Sequence, residues 1–223
     1  MKLIDLSLRD YNKEVFGESP APGGGSVSAY AGSLGASLTQ MVGSLTIDKK
    51  AFESLTDAEK AEMKKIQAEY EPLRKELEEI VDTDATSFDE VMAAFKLPKE
   101  TDEEKKARSA AIQEGYKKAL EIPLRAAELC LKGLEMQDIY AHKGNKNAIT
   151  DVGVGTLLLQ AGLEGALFNV LINVNSIKDE AYANNIRERA ADLLKTSQEK
   201  NMSMMDILEQ MKIDQHFKEC LKM

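Results

Sequence analysis

The chain has no tryptophan, two cysteines, two histidines and five prolines among 223 residues. Each scarcity excludes something. Cys130 and Cys220 fall in segments that read as helical, without the paired spacing of a zinc site or a disulfide scaffold, which fits a reducing compartment. Basic residues are outnumbered, and a formal charge of −9 removes the basic face that nucleic-acid binding needs. Met1 to Phe16 alternates acids, bases and apolar residues and offers no signal-peptide core, so a cytoplasmic location is expected. Strand-like alternation and internal repeats are both missing. What remains is 43% hydrophobic and 30% charged. That is ample for one helical domain spanning 1–223.

The rest of the chain is organised around Pro20-Ala21-Pro22-Gly23-Gly24-Gly25-Ser26-Val27-Ser28. Two prolines and three glycines make a shaped loop that delivers the chain into a helix beginning near Ser26. The first amides of that helix lack internal acceptors and sit at the positive end of its dipole, which suits an anion or a polarised oxygen. Gly23, Gly24, Gly25 and Ser26 are therefore read as one wall of a binding site; an ordinary capped helix start is the plainer alternative. No Gly-Lys-Ser or Gly-Lys-Thr follows, so a phosphate-binding P-loop is excluded. Val27, Ala31, Leu34, Leu38, Met41 and Leu45 form an apolar seam, and Ser28, Gly32, Gly35, Ala36, Thr39 and Gly43 a stripe with little bulk. Together they predict a helix buried on two sides.

Around this centre the periodicity predicts an amphipathic helix from Met1 to Phe16 and a long helix from Asp57 to Phe95 that Pro72 should kink or break. Another runs from a Thr101 cap to about His142 past Pro123, where a kink is expected. Asn147 to Val174 is a second buried helix. Its apolar content suggests a membrane span, but Asp151, Gln160, Glu164, Asn169 and Asn173 argue against one. An outer helix covers Asp179 to His216, with a break expected near Asn201. The fold class is all-α: five to six long helices in an up-and-down bundle with two buried Gly/Ala-rich central helices. Asp82, Asp84 and Asp89 gather carboxylates where aspartate is a mediocre helix former; a solvated acidic face is the plainer explanation. Lys49 and Lys50 follow the buried helix, where cations complement the dipole or bind a ligand. His142 reads as a dipole partner, and His216 is less promising still.

These motifs resemble, in their order, the cyclodeaminase/cyclohydrolase family. The matching features are Pro-Ala-Pro-Gly-Gly-Gly-Ser at 20–26, Leu45-Thr46 with Lys49-Lys50, Asp84 with Phe88, Leu97-Pro98-Lys99, Ile122-Pro123-Leu124, Gly144-Asn145 with Asp151, and Asn169-Val170 with Ile172-Asn173. This domain forms the C-terminal half of formiminotransferase-cyclodeaminase and also occurs as a stand-alone folate enzyme. The resemblance covers about Leu3 to Leu194; Thr150, where serine is expected, keeps a hydroxyl. It implies a homodimer acting on a tetrahydrofolate one-carbon adduct, in which polyglutamylation is allowed, with no metal and no cofactor beyond that substrate. Asp84 is the first choice for the catalytic carboxylate, Asp151 the second. Lys49 and Lys99 would hold the glutamate tail or tune a carboxylate; Gly23 to Ser26, Asn169 and Asn173 would bind the pterin. The expected reaction is cyclodeamination of 5-formimidoyltetrahydrofolate, with methenyltetrahydrofolate cyclohydrolase as the alternative. A non-catalytic helical assembly protein is the alternative of another class, with the small-residue helices burying a dimer seam.

Overall fold

The computed structural model describes residues 1–210, and among these no strand occurs. A 3-10 turn at Leu3–Asp5 leads into α1 (Leu8–Phe16), α2 (Gly24–Ser44), α3 (Lys50–Glu53), α4 (Asp57–Thr86) and α5 (Asp89–Phe95). Then come α6 (Asp102–Glu135), α7 (Asp138–Lys143), a 3-10 turn at Lys146–Ala148, α8 (Ile149–Val174) and α9 (Glu180–Gln210). The five long helices α2, α4, α6, α8 and α9, of 21 to 34 residues, make the bundle. The partners α2 and α8 run antiparallel: Gly24 meets Asn169 at one end and Gly35 meets Gly155 further along.

What lets α2 and α8 sit at the centre is missing bulk. A Cβ on Gly35 would lie 2.7 Å from the Gly155 carbonyl oxygen, and one on Gly162 would lie 2.8 Å from that of Ser28. The two backbones therefore touch directly, which is possible only where neither helix carries a side chain. Behind them Gln137 is fully buried, donating to Thr39 Oγ1 and accepting from Thr156 Oγ1, each at 2.8 Å. Tyr70 donates to the Gly133 carbonyl at 2.8 Å and so ties α4 to α6. By length and composition Lys146–Val174 is apolar enough to cross a membrane. In the fold, Thr156, Gln160 and Asn173 of this stretch are buried in the bundle.

The outcome differs from the expectation in several places. Residues 1–16 are not one helix, because Ser7 turns out of the 3-10 turn and caps α1 by accepting from the Asp10 amide at 3.1 Å. Helix α2 starts at Gly24, with Gly23 rather than a side chain at its cap. Neither Pro72 nor Pro123 breaks its helix. The carbonyl that Pro72 leaves without a donor belongs to exposed Ala68, so the lost bond is not buried. The interruption falls instead at Ser87–Phe88, after Thr83, Thr86 and Ser87 turn their hydroxyls back onto backbone carbonyls. The helix expected to reach His142 divides at Met136–Gln137, and α9 passes through Asn201 unbroken. His216 and Cys220 lie outside the described residues.

The largest difference concerns α2. Its small-residue stripe faces the interior, but the apolar seam expected to be buried faces outward, with Val27, Leu34, Met41 and Leu45 39 to 44% exposed. Polarity did not decide the orientation; shape did, since only the bulk-free face fits against α8. Replacing Gly162 with valine should therefore lower unfolding stability by about 1–3 kcal/mol or more, by overpacking the contact. A urea midpoint equal to that of the unmodified chain would contradict this packing.

Candidate functional site at the amino end of α2

At its amino end α2 has no side-chain cap. Its first amides have no intrahelical acceptors, and a carboxylate from another helix takes the position. Asp84 of α4 lies directly on the Gly25 backbone: a Cβ there would overlap its carboxylate. The glycines at 24 and 25 are thus explained by close approach. On the other side, a Cβ on Gly24 would come 3.2 Å from Nδ2 of Asn169, which itself donates to the Gly165 carbonyl at 2.8 Å. Asn173 lies one turn beyond Asn169 and is 8% exposed.

Asp84 is half-buried. Burial raises its pKa above the usual carboxylate value, and the Ser26 backbone N–H that faces it pulls the other way. The result is a carboxyl group with raised proton affinity on the positive end of a helix. Such a group can take a proton from a nitrogen and return it to another.

Two neighbours were not legible as site residues. Tyr11 of α1 places its hydroxyl 3.2 Å from Ser26 Oγ, and Ser26 Oγ donates to the Val81 carbonyl at 2.8 Å. Asp82 accepts from the Leu3 amide at 2.6 Å and so pins residues 1–16 to α4, while its Oδ2 is buried without a partner. Tyr11 reads in the sequence only as an apolar anchor of its helix. No local pattern links it to a loop fifteen residues on. Among the described residues, no group of three or more His, Cys, Asp or Glu stands ready to hold a metal.

The structure divides the expected site residues. Gly23, Gly24, Gly25, Ser26, Asp84, Asn169 and Asn173 share one corner. Lys99 is exposed in the connection between α5 and α6, at the same end of the bundle. Lys49 and Asp151 are elsewhere. Lys49 is exposed beyond the far end of α2, and Asp151 lies in the first turn of α8 beside that end, where the Asn145 amide binds Thr46 Oγ1 at 2.8 Å. A helix of 21 residues is about 30 Å long, so within one subunit neither reaches Asp84.

Fold and corner define an all-helical protein that sets a carboxylate against the first backbone amides of a central helix. The sequence profile of the formiminotransferase-cyclodeaminase family matches residues 7–192. A methenyltetrahydrofolate cyclohydrolase of Methylorubrum extorquens is 42% identical over 165 residues, 74% of this chain and 77% of that protein. The formimidoyltransferase-cyclodeaminase of Mus musculus is 35% identical over 207 residues, 93% of this chain but 38% of the longer relative. The solved formiminotetrahydrofolate cyclodeaminase of Thermotoga maritima superposes with a TM-score of 0.81 at 26% identity, over 92% of this chain and 96% of that one. The chain belongs to the formiminotransferase-cyclodeaminase family.

The raised pKa of Asp84 has a consequence for stability. Its neutral form is the one favoured on folding, so its contribution is fully present below the unfolded pKa and is lost as pH rises through the folded one. Asp84→Asn removes the buried charge while its amide oxygen still faces the Ser26 amide. The variant should melt higher than the unmodified protein at pH 8, with the difference shrinking toward pH 4. Calorimetry across that range checks this, and a gap that widens on acidification would contradict it.

Proposed function

We propose that the chain is a folate one-carbon enzyme, acting first as a 5-formimidoyltetrahydrofolate cyclodeaminase. The observation that carries this is the Asp84 carboxyl lying on the Gly23–Ser26 backbone, with Asn169 opposite. In cyclodeamination N10 attacks the formimidoyl carbon, a tetrahedral aminal forms, and the bond to nitrogen breaks as ammonia leaves. From the formimidinium cation, charge is conserved: one proton moves from N10 to the departing amine, and no electrons are exchanged. Asp84 is placed to carry that proton, and its negative form stabilises the delocalised cation that results. The reaction needs no cofactor beyond the folate. Asn169 and Asn173 provide amides for the pterin, and Lys99 a cation at the same end for the glutamate tail.

A second reading, methenyltetrahydrofolate cyclohydrolase, is favoured by the 42% identity to the Methylorubrum extorquens enzyme. Water then adds to the same carbon, the N5 bond breaks, N5 takes one of the water's protons and the other is released. The corner serves both reactions, since each passes through a tetrahedral carbon beside Asp84.

The chain works as a homodimer in the cytoplasm, where the fully buried Cys130, its thiol pushed up to about 12 by burial, stays unreactive. Val27, Leu34, Met41 and Leu45 of α2 adjoin Val154, Leu157, Phe168 and Ile172 of α8 in an apolar face, each residue 39 to 70% exposed. A second copy covers this face by isologous contact. A two-fold axis crossing α2 near its middle sets the two α2 helices antiparallel with opposed dipoles. The partner's Lys49 and the partner's Asp151 then arrive beside Asp84, supplying the cation and the second carboxylate that one subunit lacks.

Absorbance of methenyltetrahydrofolate tests the chemistry: it rises with the formimidoyl substrate in the first reading, falls with added methenyl compound in the second, and stays constant for a non-catalytic assembly protein. Asp84→Asn should lower turnover by about 10²–10⁴-fold. Mixing inactive Asp84→Asn with inactive Asp151→Asn tests the shared site. Heterodimers formed at random should restore roughly a quarter of normal turnover. No recovery would show that both carboxylates act within one chain.

A further inference from the structure

One buried chain of hydroxyls near the corner has no part in the reaction as proposed. Tyr11, 8% exposed, lies with its hydroxyl 3.2 Å from Ser26 Oγ. Ser26 is fully buried, and its single hydroxyl proton goes to the Val81 carbonyl, which has none to give. The direction of the first bond is thereby fixed: the Tyr11 O–H donates and Ser26 Oγ accepts. Val81 precedes Asp84 by one turn of α4. The bonds from Tyr11 through Ser26 to Val81 therefore join α1, the first turn of α2 and the turn of α4 that carries Asp84.

We propose that Tyr11 is a positioning residue of this site, holding Ser26 in the orientation that keeps its backbone N–H facing the Asp84 carboxylate. The inference rests on the reading of Asp84 as the proton-carrying group. Its opposite end is anchored too. Asp82 binds the Leu3 amide, and the Tyr11 ring packs on Tyr30 with centroids 5.4 Å apart, so α1 is held at its approach and at its one buried residue. Within the subunit the groups around Asp84 are few: the Tyr11 phenol from α1, the Ser26 amide from α2 and the neutral Asn169 amide from α8, with Asp82 turned to the Leu3 amide; in the proposed dimer the partner's Lys49 and the partner's Asp151 join them. Within the subunit, the Ser26 amide is the one that stabilises the ionised form; the partner's Lys49 is common to every variant compared and leaves the difference between them to Ser26. Tyr11 itself stays protonated, since burial is the main cause raising its pKa and the Asp84 and Asp82 charges add to it. It works as a fixed donor throughout the working pH range.

Tyr11→Phe keeps the ring on Tyr30 and removes only the donor. With Ser26 released, the Asp84 carboxylate loses part of its amide support and its pKa climbs further. Carbon-13 titration of the Asp84 carboxyl should show the midpoint rising by about half a pH unit or more, and the acidic limb of the turnover profile should move with it. Turnover should fall by about tenfold while KM changes less than about twofold. Ser26→Ala, which removes the acceptor, should give the same upward shift, and the double variant no more than either single one. Phe16→Ser, on the 92% exposed face of the same helix, serves as control and should leave midpoint and turnover alone. An unchanged Asp84 midpoint in a folded Tyr11→Phe protein would overturn the proposal; should that variant not fold, an unchanged midpoint in Ser26→Ala overturns it equally. A chain inert toward both folates would defeat the proposed function instead, and the carbon-13 comparison would still decide the role of Tyr11.

Discussion

The structure depends on one steric fact: α2 and α8 lie close enough for backbone to touch backbone. Gly32 and Gly35 in α2 and Gly155, Gly162 and Gly165 in α8 make this possible. Each costs about 1 kcal/mol of helix propensity relative to alanine, so neither sequence would hold a helix well alone. Packing repays the cost, because the missing side chains become contact area with α4, α6 and the facing helix. The arrangement also decides which face of α2 is inside. Burying the seam of Val27, Leu34, Met41 and Leu45 against α8 would have pushed the two axes apart, so the bulky apolar residues are left on the outside. The exposed face therefore follows from the tightness of the interior contact.

The same shortage of side chains shapes the corner. Gly24 and Gly25 are the points at which Asn169 and Asp84 rest on the α2 backbone. Larger residues there would lift α4 and α8 away from the helix start and pull the carboxyl off the amides. Gly32, Gly35 and Gly162 set the spacing of the helices; Gly24 and Gly25 set the spacing of the chemistry. One structural principle, applied at two levels along a single helix, produces both the bundle and its candidate site.

Much of this was legible. The small-residue stripe, the all-helical class and the end of the molecule carrying the glycine corner follow from residues 20–46 and the 3.6-residue periods. The Thr101 cap also forms as expected, and Glu104 completes it into a capping box. Asp84 was legible as an oddly placed acid, and the structure gives the reason for its position. What was not legible concerns direction. Periodicity defines two stripes on α2 without saying which faces the protein, because hydrophobicity favours one and shape the other. Asp151, the second choice for the catalytic carboxylate, lies at the opposite end because α8 packs antiparallel to α2, a relation that motif order along the chain does not encode. Tyr11 joins the corner through a hydroxyl whose partner is chosen by the 3-10 turn at Leu3–Asp5 and the Asp82 tether, neither of which has a local signature.

The placement of the carboxyl follows from the cap. A helix start is ordinarily closed by a serine, threonine or aspartate at the cap position, which would put a side chain over the first amides. Gly23 puts nothing there. Asp84 answers part of the electrostatic need from the side, facing the Ser26 amide, and the first turn keeps amides at Gly24 and Gly25 without intrahelical acceptors. A self-capped helix would satisfy its own dipole; a helix capped from a neighbour leaves part of that dipole unanswered at the same positive end. The acid that performs this capping is half-buried, so it holds its proton more tightly than a cap in water would. Removing the cap from α2 and lending it one from α4 thus creates the partial charge and the proton affinity in a single step.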